Sequence, residues 1–306
     1  MKKLTEGHKM FISVMVIFAI YAMIFILFVD YDRHVLRPFS EASDWHLLLF
    51  SIVVMVGLAF LLYHYARRMD ERISREQNEK ESRMRRELTQ NIAHELKTPI
   101  ASIMGYMETL LEHQDIGPDT EHQFILRTHA QAKRLTSLLQ DLSILNRIDY
   151  APEQIAKVQV NISEIVEEVS HETSLMLSKQ EMTLQNLLPN DIFLKGDPTL
   201  LYGLFRNLFD NAILHAGKGT CITLSAKENG NYWQFTFSDN GQGIADEHLP
   251  RIFERFYRVD KGRSRMSGGT GLGLSIVKHT VELYGGTIDA QASTPQGLRF
   301  VFTLQK

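Results

Sequence analysis

Two long apolar runs lie in the first third of the chain, ahead of a region of mixed polarity. Met10–Val29 contains no charged residue, and Leu47–Tyr63 is a second run with aromatic residues and histidines near its ends. About 20 apolar residues in a helix span the hydrocarbon core of a bilayer. Both runs therefore predict transmembrane helices within residues 1–66. A cleaved signal peptide is the alternative for the first run, but no small-residue cleavage site follows it.

Basic residues lie on the outer sides of the two runs. Three lysines precede the first run and four arginines closely follow the second, whereas the loop at residues 30–44 is net acidic. Because positive charge marks the cytoplasmic side of a membrane, both termini are predicted to be cytoplasmic. The loop is too short to fold as a ligand-binding domain. We therefore expect the spans to sense the lipid bilayer itself or a partner membrane protein.

A charged segment without glycine or proline follows in residues 67–89. Its composition favours helix, so the second run is predicted to continue as a helix into the next domain. The apolar seam of this segment is thin. A solvated charged helix and a weak two-stranded coiled coil fit that seam equally well.

Two apolar stripes at helical spacing predict a helical hairpin in residues 90–150, with a turn at His113–Pro118. The first stripe comprises Leu88, Ile92, Leu96, Pro99, Ile103, Met107 and Leu110. The second stripe comprises Phe124, Thr128, Ala132, Leu135, Leu139, Leu142 and Leu145. One hairpin cannot bury both stripes, whereas two copies form a four-helix bundle with the apolar faces inward. A homodimer is therefore expected.

One histidine of this hairpin is placed for chemistry rather than for packing. At about 100° per residue, His94 projects roughly 165° from the centre of the first stripe, and Thr98 lies one turn further on along the same outer face. A neutral imidazole is a good nucleophile near neutral pH. Glu95 lies at the edge of the stripe, where a carboxylate can hold one ring nitrogen protonated and activate the other.

Residues 151–306 alternate short predicted strands and helices, an order that indicates a two-layer α+β domain with a mainly antiparallel sheet. Strands are predicted near Val158, at Thr183–Leu187, Ile192–Lys195, Cys221–Lys227, Tyr232–Ser238, Thr287–Ala292 and Arg299–Leu304, and helices at about 161–179, 198–215 and after Gly271.

Two polar clusters in this region carry candidate binding groups. Asn207 and Asn211 are four residues apart on one helical face, and amide oxygens are suitable hard ligands for Mg2+. Asp239 ends a predicted strand, where its carboxylate can accept from an exocyclic amine. Gly241 and Gly243 follow it and allow the backbone to approach a flat base.

A third cluster is glycine-rich and opens a predicted helix. Gly269, Gly271 and Gly273 precede backbone N–H groups that can bind phosphate. The Gly-Lys-Ser/Thr ending of a P-loop is absent from this stretch. A dinucleotide fingerprint is also disfavoured, because no strand precedes the glycines.

The overall charge and the cysteine content narrow the function classes. The formal net charge is -3, so no basic excess indicates a nucleic acid partner. The only cysteine, Cys221, excludes an intramolecular disulfide and a cysteine-only metal site.

These motifs together resemble those of sensor histidine kinases, from about residue 80 to the end of the chain. His94–Pro99, read His-Glu-Leu-Lys-Thr-Pro, resembles their phosphoacceptor box. Residues 207–211, 239–243 and 268–274 resemble, in order, the N, G1 and G2 boxes of the gyrase/histidine-kinase ATPase superfamily, and 253–258 resembles the F box.

The resemblance implies a bacterial inner-membrane protein-histidine kinase. By it, ATP phosphorylates His94, and the phosphoryl group passes in trans to an aspartate of a response regulator. Glu95 would be the base or orienter, and Thr98 would position water for phosphatase activity toward that regulator. The implied architecture is a membrane-anchored multidomain protein with two transmembrane helices, a dimerising helical hairpin and a two-layer α+β ATP-binding domain.

The resemblance also assigns roles in the ATP site. Asn211 would hold Mg2+, with Asn207 beside the phosphates, while Asp239 would read the adenine amine. The remaining implied binding residues are Gly241 and Gly243 at the base, Gly269, Gly271 and Gly273 at the phosphates and lid, Phe253 and Phe256 of the F box, and Arg258 with Lys261 toward phosphate charge.

One position distinguishes this chain from hydrolytic relatives of the superfamily, and two others depart from the family pattern. Hydrolytic relatives carry a glutamate where Asn207 stands, and an amide cannot act as a general base, so hydrolysis by water should be slow. Leu214 replaces a lysine found in many relatives, and 296–300 replaces their final Gly-x-Gly-Thr-x-Phe. A sensor acting mainly as a phosphatase through Thr98 and a non-catalytic ATP-binding membrane scaffold are the alternatives.

Overall fold

The computed structural model describes residues 15–16, 19–20, 22–27, 30–31, 45–112, 116–259, 269–293 and 296–306. The chain divides into two compact units, Met1–Glu87 and Leu88–Lys306.

The first unit contains one candidate membrane-spanning segment among the described residues. Ser51–Lys80 is helical over 30 residues, has a mean hydropathy of 1.3 and has none of its apolar window buried. It is long and apolar enough to cross a bilayer, judged by length and composition alone. It overlaps the second predicted span. The first, Met10–Val29, lies partly outside the described residues and stays a prediction, although 15–16, 19–20 and 22–27 are helical.

The helix that contains this segment, α1, runs from Trp45 to Glu112. It is continuous through residues 67–89, as the charged composition of that stretch predicts. Ion pairs at helical spacing support it there, for example between Arg67 Nε and Glu71 Oε1 at 3.2 Å.

Helix α2, Pro118–Tyr150, forms the second arm of the hairpin in the second unit. Proline suits the first turn of a helix, because its missing N–H would have no partner there. The turn residues 113–115 lie outside the described residues. The buried face of α2 matches the predicted stripe only in part: Leu145 of the stripe is buried, but Leu139 of the stripe is 52% exposed, and Leu138 and Ile148 outside it are buried. The helix has two apolar faces, and the periodicity identified only one.

The rest of the second unit is an α+β domain, as predicted, with element bounds within about two residues of those expected. Its helices are α3 (Ile162–Lys179), α4 (Pro198–His215) and α5 (Gly273–Leu283). Its strands are β1 (Val158–Asn161), β2 (Thr183–Leu187), β3 (Phe193–Gly196), β4 (Cys221–Asn229), β5 (Tyr232–Asp239), β6 (Ile288–Ala292) and β7 (Leu298–Gln305).

Two sheets result from the strand pairing. Strands β1 and β3 form an antiparallel pair, and the main sheet has the order β2-β4-β5-β7-β6. Within the main sheet, only the β2–β4 pair is parallel.

An aromatic core between α4 and the main sheet positions the end of β5. Phe205 of α4 packs on Phe235 of β5 with ring centroids 5.8 Å apart, and Phe209 packs on Phe237 at 5.4 Å. Alternate residues of a strand face the same side, so Asp239 continues the buried row of Phe235 and Phe237. Its carboxylate therefore lies at the rim of the core, on the α4 side of the sheet.

Helix caps complete the domain. The Asn161 side chain accepts from Ser163 N at 3.0 Å, as its predicted capping role requires. Asp197 Oδ1 caps α4 by accepting from Thr199 N at 2.9 Å. The other oxygen of Asp197 pairs with Arg147 of α2 at 3.1 Å, which ties the hairpin to the start of α4.

Candidate functional site

The predicted outward position of His94 is confirmed by its exposure, since 65% of its side chain is accessible. Its Nδ1 lies 3.9 Å from Glu95 Oε1, which is too long for a hydrogen bond. Glu95 therefore lies beside His94, but the hydrogen bond through which it would assist the imidazole is not formed in this arrangement. One turn further on, the Thr98 hydroxyl donates to the His94 carbonyl oxygen at 3.2 Å, and Thr98 is half-buried.

The carboxylate of Glu95 is instead held by two arginines. Its Oε2 accepts from Arg134 Nη2 of α2 at 3.1 Å and from Arg258 Nη2 at 3.4 Å. All three side chains are largely buried, with Glu95 18% exposed. A buried carboxylate requires such partners, because desolvating an unpaired charge is strongly unfavourable. Arg134 was not among the predicted site residues, and periodicity within α2 gives no signal of a partner 39 residues away.

Arg258 joins the hairpin to the glycine-rich loop. Its guanidinium also donates to the carbonyl oxygen of Gly269. The family resemblance implies that this arginine meets phosphate charge, whereas here it contacts Glu95 and the loop backbone. Burial lowers the pKa of His215, at the end of α4, and the nearby Arg258 cation lowers it further. Lys261, its predicted partner, lies outside the described residues.

The two predicted amides lie on α4 next to the start of α5. Asn207 and Asn211 are half-buried and one turn apart. Asn207 Nδ2 donates to the Gly203 carbonyl at 2.8 Å, which fixes the orientation of the amide. A Cβ at Gly273 would lie only 2.5 Å from Asn207 Oδ1. The fold thus brings together the predicted N and G2 motifs in a contact so close that a side chain at position 273 would displace the Asn207 amide.

The donor set near Asn211 fits Mg2+ bound together with phosphates. Within the described ranges, no group of three or more His, Cys, Asp or Glu residues could hold a metal by itself. Mg2+ commonly takes only one or two protein oxygens and completes its shell with water and phosphate oxygens. A neutral amide oxygen is compatible with that mode.

The predicted adenine-reading carboxylate is buried and fixed through one oxygen. Asp239 Oδ1 accepts from Gly241 N at 2.9 Å and from Leu298 N at 3.3 Å. Burial raises the pKa of Asp239, and these two backbone donors oppose the rise. Within the part of the chain that the structure describes, both donors reach Oδ1, so Oδ2 is the oxygen available to an amine.

Close backbone approaches form the walls beside Asp239. A Cβ at Gly241 would lie 2.2 Å from the Ala216 carbonyl oxygen, and one at Gly297 would lie 2.0 Å from that of Asp239. Gly243 has φ +66°, a conformation that side chains rarely adopt. The sequence predicted the need for Gly241 and Gly243, but not for Gly297, which lies just before β7 and approaches Gly243 and Asp239.

The two F-box phenylalanines contact different parts of the domain. Phe253 packs edge-on to Phe300 of β7 at 6.1 Å. Phe256 has φ +63°, and its N–H donates to the Gly271 carbonyl at 2.8 Å. Gly271 itself has φ +74°. The Phe256 backbone therefore contacts the glycine-rich loop directly, whereas Phe253 packs in the core of the domain.

The hairpin packs on the α+β domain through an apolar cluster and, among the described residues, three polar contacts besides the Glu95–Arg258 pair, one of which reaches the loop itself. Leu138 and Leu145 of α2 pack with Leu272 and Ile276 at the start of α5, with Phe256 at the edge. The polar contacts are Thr270 Oγ1 to Asp141 Oδ2 at 2.8 Å, Arg255 Nη2 to Asp149 Oδ2 at 2.7 Å and Arg147 Nη2 to Asp197 Oδ2 at 3.1 Å. The loop predicted to bind phosphate is therefore docked on the hairpin.

Comparison with known protein families identifies both domains. Residues 84–151 match the His Kinase A (phospho-acceptor) domain, and residues 196–306 match the histidine kinase-, DNA gyrase B- and HSP90-like ATPase domain. The chain carries both domains of a histidine kinase.

Curated relatives of these histidine kinase domains include two sensor proteins. The sensor-like histidine kinase SenX3 of Mycolicibacterium smegmatis is 34% identical over 220 residues, which cover 72% of this chain and 57% of that protein. The sensor protein kinase WalK of Staphylococcus aureus is 34% identical over 226 residues, which cover 72% and 54%. The chain thus spans about half the length of these relatives.

Solved histidine kinase structures share the fold. Acinetobacter baumannii histidine kinase AdeS matches with a TM-score of 0.57 and 22% identity, covering 69% of this chain and 97% of that one. Histidine kinase ThkA, solved in complex with the response regulator protein TrrA, matches with a TM-score of 0.57 and 22% identity, covering 72% and 61%.

The contact between Gly273 and Asn207 gives a prediction for the ATPase domain. In Gly273→Ala, the added methyl group must displace the Asn207 amide, so ATP affinity should fall at least about tenfold, equivalent to about 1.4 kcal/mol. Isothermal titration calorimetry with a non-hydrolysable ATP analogue and Mg2+ measures this loss.

Gly203→Ala is the matched control for this substitution. Gly203 lies one turn before Asn207 on α4, and nothing lies within 4 Å of a Cβ there. The control should bind the analogue as the wild type does. Equal affinities for Gly273→Ala and wild type would show that the Asn207 amide does not contribute to binding.

The buried carboxylate of Asp141 gives a prediction for pH dependence. Burial raises its pKa from 3.8 to about 6; the Thr270 hydrogen bond opposes this rise and the Asp210 carboxylate adds to it. Because the folded-state pKa is the higher one, stability should fall as the pH rises from about 4 to about 6 and stay low above that. The free energy of unfolding of Asp141→Asn should therefore exceed that of the wild type by about 1–2 kcal/mol at pH 8, and the two should differ little near pH 4.

Urea unfolding followed by the fluorescence of Trp233 in β5 measures this difference at each pH. Asp246→Asn, at an exposed position of the same compact unit, is the control and should change the unfolding free energy by less than about 0.5 kcal/mol at every pH. A stabilisation by Asp141→Asn that does not depend on pH would contradict the prediction.

Proposed function

We propose that this chain is a membrane-anchored sensor histidine kinase that phosphorylates itself on His94 and passes the phosphoryl group to an aspartate of a response regulator. The observation that carries the proposal is the combination, in one compact unit, of an exposed imidazole in a phosphoacceptor domain with the amide, carboxylate and glycine motifs of an ATPase domain. The phosphoacceptor domain alone would lack a nucleotide site, and the ATPase domain alone would lack a phosphoryl acceptor.

The proposed reaction uses the ring nitrogen that faces away from Glu95. Nε2 of His94 attacks the γ-phosphorus of ATP, and the bond from that phosphorus to the bridging oxygen breaks with its electron pair leaving on ADP. The imidazole gains positive charge as the Nε2–P bond forms, and its Nδ1 proton can then pass to Glu95 Oε1. Proton acceptance by a neighbouring carboxylate is general base assistance.

The proposed ATP site follows the geometry of the second unit. Asp239 would accept the adenine amine through Oδ2, while Gly241 and Gly243 leave room for the base. Asn211 would hold Mg2+, with Asn207 beside the phosphates. When bound, Mg2+ neutralises charge on the phosphate oxygens.

The amide at position 207 favours transfer to His94 over transfer to water. An amide cannot remove a proton from water, so the site has no general base at the position that its hydrolytic relatives use. Phosphoryl transfer depends mainly on positioning and charge stabilisation. An exposed imidazole supplied by the same chain is then the competent acceptor.

The docked arrangement requires a rearrangement before transfer. Arg258 contacts Glu95 and Gly269, and the loop beside Thr270 contacts Asp141. We propose that ATP draws Arg258, with Lys261, toward phosphate charge and releases the glycine loop from α2. Electrostatic attraction between guanidinium and phosphate favours that exchange.

Assembly and membrane attachment are further parts of the proposal. Ile100, Met104, Leu111 and Leu139 are apolar and exposed on the hairpin, which supports burial in a homodimeric four-helix bundle. The ThkA–TrrA complex supports a response regulator as partner. The apolar segment Ser51–Lys80 supports a membrane span, and two spans would place both termini in the cytoplasm.

A phosphatase role for Thr98 completes the proposed cycle. Its hydroxyl lies one helical turn after His94, close to the surface that a phosphorylated regulator would have to approach. There it would position water toward the regulator's phosphoryl group.

Radioactive ATP labelling of the 306-residue chain in phospholipid nanodiscs tests the proposal. Wild type should acquire an acid-labile, base-stable label, and His94→Gln should lose at least about 99% of it, because glutamine removes the imidazole nucleophile that the proposal assigns as the acceptor. Nucleotide affinity should be unchanged in His94→Gln.

His129→Gln, on an exposed position of α2, is the matched control and should label normally. Label that persists in His94→Gln would contradict the kinase assignment, and ATP binding without any label would favour a scaffold. In the same assay with a phosphorylated regulator, Thr98→Ala should retain the label on His94 but clear the regulator more slowly.

A further inference from the structure

We infer that Arg134 is a positioning residue for phosphoryl transfer, because its guanidinium anchors one oxygen of Glu95 and thereby directs the other toward His94. This inference rests on the proposed function and adds a residue to it. Arg134 belongs to α2, within the phosphoacceptor domain, and none of the sequence motifs includes it.

The anchoring contact is internal to the hairpin. Arg134 Nη2 and Glu95 Oε2 are 3.1 Å apart, and the two side chains are 11% and 18% exposed. Each is carried by a long helix, so the contact does not depend on the placement of any loop. Largely buried charged pairs resist rearrangement, because separating them would leave an uncompensated charge.

The second arginine that contacts this carboxylate belongs to a different domain. Arg258 comes from the ATPase domain, lies 3.4 Å from the same oxygen and also donates to Gly269 of the glycine loop. If that domain moves to present ATP, Arg258 moves with it. Arg134 is then the cation that stays with Glu95 throughout the reaction.

The geometry at Glu95 divides its two oxygens between two tasks. Oε2 accepts from both arginines, and Oε1 is the oxygen nearer His94 Nδ1, at 3.9 Å. A shift of about 1 Å would close this distance to a hydrogen bond. An anchored carboxylate has less rotamer freedom to lose when it makes that bond.

Without Arg134, the Glu95 carboxylate would lose the contact that anchors it within the hairpin. Its remaining arginine contact among the described residues would be Arg258, which draws Oε2 toward the glycine loop. Oε1 would then no longer be fixed opposite Nδ1 when the imidazole needs a proton acceptor. Misplacement of a reacting group by about 1 Å commonly reduces a rate about 100-fold.

Autophosphorylation of the full chain in phospholipid nanodiscs tests this role. Arg134→Met should lower kcat about 10- to 100-fold, with the KM for ATP within about twofold of wild type, since the contact of Arg134 within the described residues is with Glu95 and not with the ATP motifs. Arg134→Lys should recover part of the rate, because an ammonium group keeps the charge but not the planar geometry. Arg127→Met, an exposed arginine of the same helix, is the matched control and should react as the wild type does.

A double variant separates positioning from a general structural role. In a Glu95→Gln background, Arg134→Met should cause little further loss, since residues that act through one another are not additive. An equal loss in both backgrounds, whether from misfolding or from another contact, would overturn the inference, as would a wild-type rate for Arg134→Met. If the wild type itself carries no label on His94, the proposed function fails instead.

Discussion

The pairing of the Glu95 carboxylate with two guanidinium groups is the interaction on which the arrangement of the folded unit depends. One arginine comes from the neighbouring helix of the hairpin and the other from the ATPase domain, so a single carboxylate links three parts of the chain. Because a buried charge requires its partners, the position of Arg258 is coupled to the hairpin. The apolar cluster of Leu138, Leu145, Leu272 and Ile276 packs beside this network. It stabilises the contact between α2 and α5 through the hydrophobic effect, which does not depend on direction.

This linkage has a direct consequence for the phosphate loop. Thr270 and the start of α5 belong both to the motif predicted to bind phosphate and to the surface that contacts α2. The two uses compete, and the contact includes a carboxylate, Asp141, whose burial raises its pKa to about 6. A contact that is least favourable when Asp141 is charged suits a surface that, in the proposed mechanism, separates before phosphoryl transfer.

Much of the fold could be predicted from local patterns. Most element bounds lie within about two residues of those predicted from helix and strand periodicity, the Asn161 cap and the glycine positions. The exposure of His94 was predicted from its angular position on the helix. These features depend on neighbours in sequence, which is why one chain was sufficient to infer them.

The missed features depend on contacts between distant segments. Arg134 lies 39 residues from Glu95, and Arg258 lies 163 residues from it. The second apolar face of α2, with Leu138 and Ile148, becomes recognisable only when the ATPase domain is packed against it. Phe256 adopts φ +63°, which no propensity of phenylalanine predicts.

A double-mutant cycle between Glu95 and Arg258 tests the central claim most directly. The free energies of urea unfolding of wild type, Glu95→Gln, Arg258→Met and the double variant would be compared through Trp233 fluorescence. Direct pairing across the hairpin and the ATPase domain predicts a coupling energy of about 1 kcal/mol or more. Additive losses, with a coupling below about 0.3 kcal/mol, would contradict the claim that this carboxylate joins the two domains.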